Sequence, residues 1–336
     1  MENITQPASS LRTVLITAMG CNTSISIAKS LRRSNSQVYR IIGVDMAPLH
    51  EMAGSVWCDE YYQVPSYKDD NYIKTLIDIA QKEKADFLMS VMDIEMEKLS
   101  ANVEVIEKNG IRLCLPEHET IVLCNGKYET NKFLGAKGVR VPATYTPTEF
   151  DAVPSKQFPF FIKPRKGVSS VDCYKANNEE ELDIFLERTE DPIIQEFIGG
   201  EQYVIDVINN LEGKNIVAIP RRELSSKAGI GVKAVTVKDE DLIEYGIKVS
   251  ELLGIKGAAN IEVFKRGGEI ILIEVNPRFS AGSIISCVAG VNMPEIVLSI
   301  FMGEKIEVES LKWNADIFMT RYWQEVFTDV KKQIKL

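Results

Sequence analysis

Apolar and polar residues alternate in short blocks over the first hundred-odd positions, and the blocks change period in a regular order. Val14-Leu-Ile-Thr17 is a buried-type strand. A turn over 18–23 leads into a helix at Ser24–Arg33, and Arg40–Asp45 is a second strand. This βαβ unit implies a parallel sheet with a right-handed crossover. The pattern then predicts a helix at Tyr72–Lys82, a strand at Asp86–Ser90, a helix at Ile94–Asn109 and a strand at Arg112–Leu115.

After Asn125-Gly126 the pattern changes. A helix over Lys127–Lys137 is stopped by Gly138, and Phe158–Pro164 is an apolar strand carrying one lysine, Lys163. An ammonium in an apolar strand is expensive to bury without a charged partner, and phosphate is one such partner. The small, basic stretch Arg165–Ser170, with Ser169 in it, then offers N–H groups and hydroxyls to phosphates; otherwise it is a basic surface turn. Pro192–Ile198 is a strand closed by Gly199-Gly200, and Glu201–Ile208 is an alternating one. Exposed backbone beside Glu196 suits an adenine, and the Glu201 carboxylate suits ribose hydroxyls. Further on, Asn215–Ile219 and Ala234–Val237 read as strands around a basic, glycine-containing loop over 220–233, and Asp241–Leu253 as an amphipathic helix for core packing.

Val263–Glu269 predicts a hairpin turning at Gly267-Gly268, where positive φ is needed. The hairpin sets Glu262 beside Glu274. Glu274 and Asn276, two apart on a strand, share a face. Two carboxylates and an amide oxygen aimed at one point form a hard-oxygen site for Mg²⁺, with Mn²⁺ as a substitute. The alternative is a surface hairpin with solvated acids. Arg278 follows with its fork toward the same point, either as a clamp on an anion or as a structural ion pair. Ser280–Ser283 reads as a close-approach turn, Met293–Met302 as a helix, and Asp316–Phe327 as a late strand with Tyr322 and Trp323 packing.

Composition narrows the class. In 336 residues the net charge is -9, with 45% hydrophobic and 26% charged residues, so an ordinary globular protein of more than one domain is expected and nucleic acid is not its main partner. Six scattered cysteines and two histidines give neither a zinc motif nor a disulfide framework. No apolar run approaches the length of a membrane span, and the polar start, Met1–Ser10, lacks a signal-type core, so a cytoplasmic setting is expected. A dinucleotide site with Asp45 on a ribose is disfavoured, because only Gly20 stands where the fingerprint needs three glycines.

The order of these pieces resembles the ATP-grasp superfamily, in its carbamoyl-phosphate-synthase-like branch: Lys127, Ile162-Lys163-Pro164, Gln195-Glu-Phe-Ile-Gly-Gly-Glu201, Glu262 and Glu274-Val-Asn-Pro-Arg278. The resemblance implies an N-terminal α/β domain with a parallel sheet over 11–120, a small nucleotide-lid lobe over 121–200 and a large metal-bearing lobe over 201–336. It implies Lys127, Lys163 and Ser169 at ATP phosphates, Gln195, Glu196, Phe197 and Ile198 at adenine, and Glu201 at ribose. It further implies Glu262, Glu274 and Asn276 at Mg²⁺, Arg278 as a catalytic group, and Arg222, Lys227 and Lys233 on a loop closing over the triphosphate. The activity implied is ligation of a small-molecule carboxylate to an amine through an acylphosphate, with ADP released and a homodimer as the fold-class analogue. A phosphorylated carboxylate or carbamate as the product, and a non-catalytic ATP-binding module, remain the alternatives.

Overall fold

The computed structural model describes residues 11–167, 171–227, 229–329 and 333–334. Five short strands form a parallel sheet in the order β3-β2-β1-β4-β5: β1 (Arg12–Ile16), β2 (Tyr39–Asp45), β3 (Glu60–Gln63), β4 (Phe87–Met89) and β5 (Arg112–Leu113). Its strands are apolar on both faces because both are covered. Val14, Ile16, Ile41, Phe87 and Met89 pack on one side, and Leu15, Ile42, Val44 and Leu88 on the other, against the helix Tyr72–Glu83. Strand order reverses at β1 and β4, and in open α/β sheets ligands gather outside the carboxyl ends at such a point.

A four-stranded antiparallel sheet follows, ordered β6-β9-β7-β8, from β6 (Thr144–Tyr145), β7 (Phe160–Pro164), β8 (Tyr174–Ala176) and β9 (Pro192–Glu196). It has a small core of its own around Phe150, Phe160, Ile162, Leu182 and Ile194. The third sheet is the largest, ordered β14-β13-β10-β11-β12-β15, from β10 (Glu201–Asn209), β11 (Asn215–Lys227), β12 (Ile230–Thr236), β13 (Gly257–Arg266), β14 (Glu269–Asn276) and β15 (Phe318–Thr320). One face packs on the helix Glu240–Leu252. The other contributes Ile208, Val217, Ile219 and Ala258 to the same core as β1 and β4, which ties the parallel sheet to the large lobe. This is the expected fold class: a parallel α/β unit followed by two antiparallel lobes.

Several elements differ from expectation, among them the following. The helix predicted over 94–109 is two, Asp93–Ser100 and Val103–Lys108, separated at Ala101-Asn102. β3 was not foreseen because its four residues are half-buried at most and carry no clear alternation. The segment 220–233 is no open loop: β11 runs on to Lys227 and β12 begins at Ile230. Polar residues hide this hairpin in the sequence because part of it lines the cavity instead of a core. The late strand shrinks to β15, which pairs with β12 at the sheet edge, and Trp323 is 84% exposed, so it does not pack inward.

Candidate active site

The three sheets meet around a cavity of about 670 Å³. The parallel sheet contributes the turns after β1 and β4, with Cys21–Thr23 and Val91–Ile94 in its wall. The small lobe contributes Lys163 from β7 and Gln195–Ile198 from the end of β9, and the large lobe contributes Glu262, Glu274 and Asn276.

Strand pairing explains the acidic corner. The Gly267-Gly268 turn has φ of +57° and +87°, as a two-residue hairpin requires, and sets the β13–β14 register as far as Val263 opposite Leu272; between Val263 and Glu262 the register shifts by one residue at a bulge. Glu262 then lies opposite Glu274 and Asn260 opposite Asn276, all on one face. Burial and the neighbouring Glu274 charge hold the Glu262 carboxyl above its usual range, while Arg278 and Arg221 oppose that rise. Two acids forced together in a buried place fit a divalent cation, whose charge would relieve both. Asn276 needs one adjustment. Its amide nitrogen faces Glu262 Oε1 at 3.4 Å, while its oxygen accepts from Arg278 Nη2 at 3.1 Å, so it joins as a ligand only with the amide turned over. Among the described residues no group of three or more His, Cys, Asp or Glu side chains gathers, which leaves the other coordination positions to phosphate oxygens and water.

Opposite the acids stand two lysines. Lys127, at the start of the helix Lys127–Ala136, donates to the Gly167 carbonyl at 2.7 Å and lies 3.6 Å from Glu274 Oε2. Lys163 is 4% exposed, and among the described residues no carboxylate comes within ion-pair distance of it. Burial pushes its ammonium down to about 8, against the pull of Glu274 and with a further push from Lys127. A buried cation facing a carboxylate pair, with no carboxylate at ion-pair distance among the described residues, fits an anion bound together with a divalent cation.

The remaining expected residues divide. Gln195, Glu196, Phe197 and Ile198 line the cavity at the end of β9, with the Glu196 carboxylate held by Arg140 at 3.0 and 3.1 Å and Lys175 over the Phe197 ring. Arg278 lines it too, in a bidentate pair with Asp93. Ser169 lies outside the described residues. Glu201 and Arg222 do not line the cavity; they form an exposed ion pair at 2.8 Å. Lys233 and Lys227 are exposed and absent from the wall as well. The expectation that Arg222 and Lys233 face the reacting groups is corrected by strand phase: on β11 it is Arg221 and Glu223 that point into the cavity, and Arg222 points away. Asp206, buried beneath Arg221, was the missed signal, being a carboxylate inside the apolar run Tyr203–Ile208. Asp45 is no ribose ligand either, since its carboxylate accepts the Gly20 N–H at 2.8 Å.

Residues 124–282 match the family described as ATP-grasp domain, and residues 14–114 the one described as PylC-like, N-terminal domain. The carbamoyl phosphate synthase large chain of Clostridium beijerinckii is 29% identical over 179 residues, covering 48% of this chain. That of Thermoanaerobacter sp. strain X514 is 24% identical over 257 residues, covering 70%. The chain spans only 16% and 24% of the length of these two relatives. Among solved structures, the biotin carboxylase domain dimer of Hydrogenobacter thermophilus 2-oxoglutarate carboxylase, in complex with MgADP, ADP and bicarbonate, superposes with a TM-score of 0.73 at 15% identity, over 90% of this chain and 72% of that one. N5-carboxyaminoimidazole synthetase from Staphylococcus aureus, complexed with ADP, gives 0.69 at 16% identity, over 88% and 78%. At such identities these two show a shared fold. With the two family matches on either side of residue 120 and the Glu-Val-Asn-Pro-Arg strand between facing lobes, the chain is a member of the ATP-grasp superfamily, carrying an ATP-grasp domain behind a PylC-like N-terminal domain.

Proposed function

We propose that this protein is an ATP- and Mg²⁺-dependent ligase that joins a small-molecule carboxylate to an amine and releases ADP and phosphate. The observation that carries this reading is the buried Lys163 ammonium, without a carboxylate partner among the described residues, facing Glu262 and Glu274 across one cavity. The likeness to carbamoyl phosphate synthase chains supports it.

Lys163 and Lys127 hold the phosphates. Gln195–Ile198 meet the adenine. Glu262 and Glu274 would hold a Mg²⁺ ion, which would supply charge neutralisation to the phosphates. Arg278 orients the carboxylate substrate, whose oxygen attacks the γ-phosphorus as the bond to ADP breaks. The amine then attacks the acylphosphate carbon, phosphate leaves with the C–O electron pair, and the amine gives up a proton. Such phosphoryl transfer needs positioning and charge cancellation far more than a protein nucleophile, consistent with a cavity of lysines, acids and an arginine.

The test is ADP release from MgATP with pools of small carboxylates and amines, present together or singly. Release that requires both pools supports the ligase. Release with the acid pool alone gives a phosphorylated product instead, and MgATP binding without release in any pool overturns the enzymatic reading.

A further inference from the structure

The roles above leave one end of the cavity unused. There β11 places Arg221 and Glu223 over Asp206 of β10, with Ser280 alongside. Arg221 makes three hydrogen bonds, from Nε to Glu223 Oε1 at 2.9 Å, from Nη2 to Ser280 Oγ at 3.0 Å, and from Nη1 to Asp206. Glu223 is therefore held in place by one oxygen. Its other oxygen, Oε2, is buried and has no hydrogen-bond partner among the described residues, although the side chain is only 8% exposed and lines the cavity. The approach of the facing strand is close enough to seat it there. A Cβ at Gly231 of β12 would stand 2.1 Å from Oε2, so a larger residue there would push the carboxylate out of its place.

A buried carboxylate oxygen is a pure acceptor, and leaving it without a donor is unfavourable enough that such atoms usually mark a missing ligand group. Of the neighbouring cations, Arg278 pairs with Asp93, and Arg321 donates to the Ala281 carbonyl from Nη2 while its buried Nε, like Glu223 Oε2, has no hydrogen-bond partner among the described residues. No donor reaches Oε2 within the described residues, so a ligand N–H would satisfy it, and an N–H on a cationic nitrogen makes the strongest bond to a carboxylate.

We propose that Glu223 is the amine-recognition residue, its Oε2 accepting an N–H of a primary amine that enters as the second substrate. This assignment rests on the ligase reading. It places the nucleophile's subsite on the β11–β12 hairpin, next to the carboxylate pair and apart from the nucleotide end formed by β7 and β9. Arg221 then acts as a positioning residue that aims Glu223.

Glu223→Gln tests it, because Gln keeps the acceptor for Arg221 Nε and turns the free acceptor into an NH₂ group; Glu223→Asp withdraws the carboxylate by one methylene. Glycine, lysine, ethanolamine and putrescine are each titrated in the ADP-release assay with MgATP and the carboxylate pool. For any amine that stimulates the wild type, the half-saturating concentration rises about 10- to 100-fold in Glu223→Gln, the loss of one hydrogen bond to a charged group, and by an intermediate factor in Glu223→Asp. MgADP affinity by calorimetry changes by less than about threefold, since the nucleotide end is separate. An unchanged amine requirement, or MgADP affinity falling in parallel, overturns the assignment. If no amine stimulates the wild type, the ligase reading fails first, and thermal shift with the same amines decides Glu223 by itself. Stabilisation of the wild type that Glu223→Gln loses keeps the amine site; equal responses reject it.

Discussion

Asp93 and Arg278 meet as a two-point ion pair, Nε to Oδ1 at 3.0 Å and Nη2 to Oδ2 at 3.1 Å, across the joint between the parallel sheet and the strand that bears the acids. Asp93 opens the helix after β4, and Arg278 follows β14, so this contact locks two separately built walls of one cavity. Removing one partner of a buried pair strands the other charge. Asp93→Asn or Arg278→Met alone is expected to cost about 3 kcal/mol, the lower end for buried pairs because both side chains keep some exposure. The double variant loses less than the sum, leaving a coupling of about 1–3 kcal/mol in a urea double-mutant cycle. Strict additivity would mean that the pair does not hold the joint.

Lys163→Met moves stability and nucleotide affinity in opposite directions. The buried ammonium has no carboxylate at ion-pair distance among the described residues and is pushed down to about 8 by burial despite the pull of Glu274, so at neutral pH the protein without nucleotide carries the cost of charging it. For a cation with a depressed folded value this cost is absent above about 10.4, grows as pH falls toward 8, and is complete below. Methionine of similar length removes it. The melting temperature at pH 7 stays level or rises, while MgADP affinity by calorimetry drops about tenfold or more, the loss of a charge-assisted phosphate contact. Unchanged affinity would falsify the phosphate role.

How much of this was legible follows from where each signal came from. The acidic corner could be read because hairpin chemistry at Gly267-Gly268 brings the two strands together and Glu274 and Asn276 alternate onto one face, but the bulge beside Glu262 that sets it opposite Glu274 has no signal in the sequence. Lys163 stood out as a charge in an apolar strand. Arg221 and Glu223 did not, because the polar half of β11 lacks the apolar alternation that sets strand phase, and a one-residue error of phase selects Arg222. Asp93 was invisible for another reason: its partner is 185 residues away, and no local pattern carries a contact of that range. The fold class was read from period and order, whereas the mutual placement of the walls came only from tertiary packing.

Glu274→Gln separates catalysis from folding. The change keeps shape and removes one of two adjacent carboxylate charges, which in the empty site relieves the like-charge contact with Glu262 while giving up the 3.6 Å approach of Lys127. The two effects oppose each other, so the urea midpoint moves little. Charge stabilisation through a divalent ion is worth several kcal/mol, so ADP release falls by about 10²-fold or more. Equal turnover at matched Mg²⁺ would remove Glu274 from the metal site.

Glu95 supplies a pH dependence that lies outside the nucleotide end. It sits 4% exposed at the carboxyl ends of β1 and β4, accepting from Thr17 Oγ1 and Ser90 Oγ, each at 2.8 Å, and from the Tyr72 hydroxyl. Burial raises its carboxyl to about 7, the Thr17 hydroxyl opposing and the Asp45 charge adding to the rise. An acid with a raised folded value favours the folded state fully below its unfolded value, about 4.3, and that contribution is lost as pH rises through 7. Measured by urea unfolding between pH 4.5 and 8, the wild type should therefore lose about 3 kcal/mol relative to Glu95→Gln, which has no proton to release. A difference that stays flat across this range would mean that Glu95 folds as an ordinary ionised carboxylate, with its three hydroxyl donors outweighing burial.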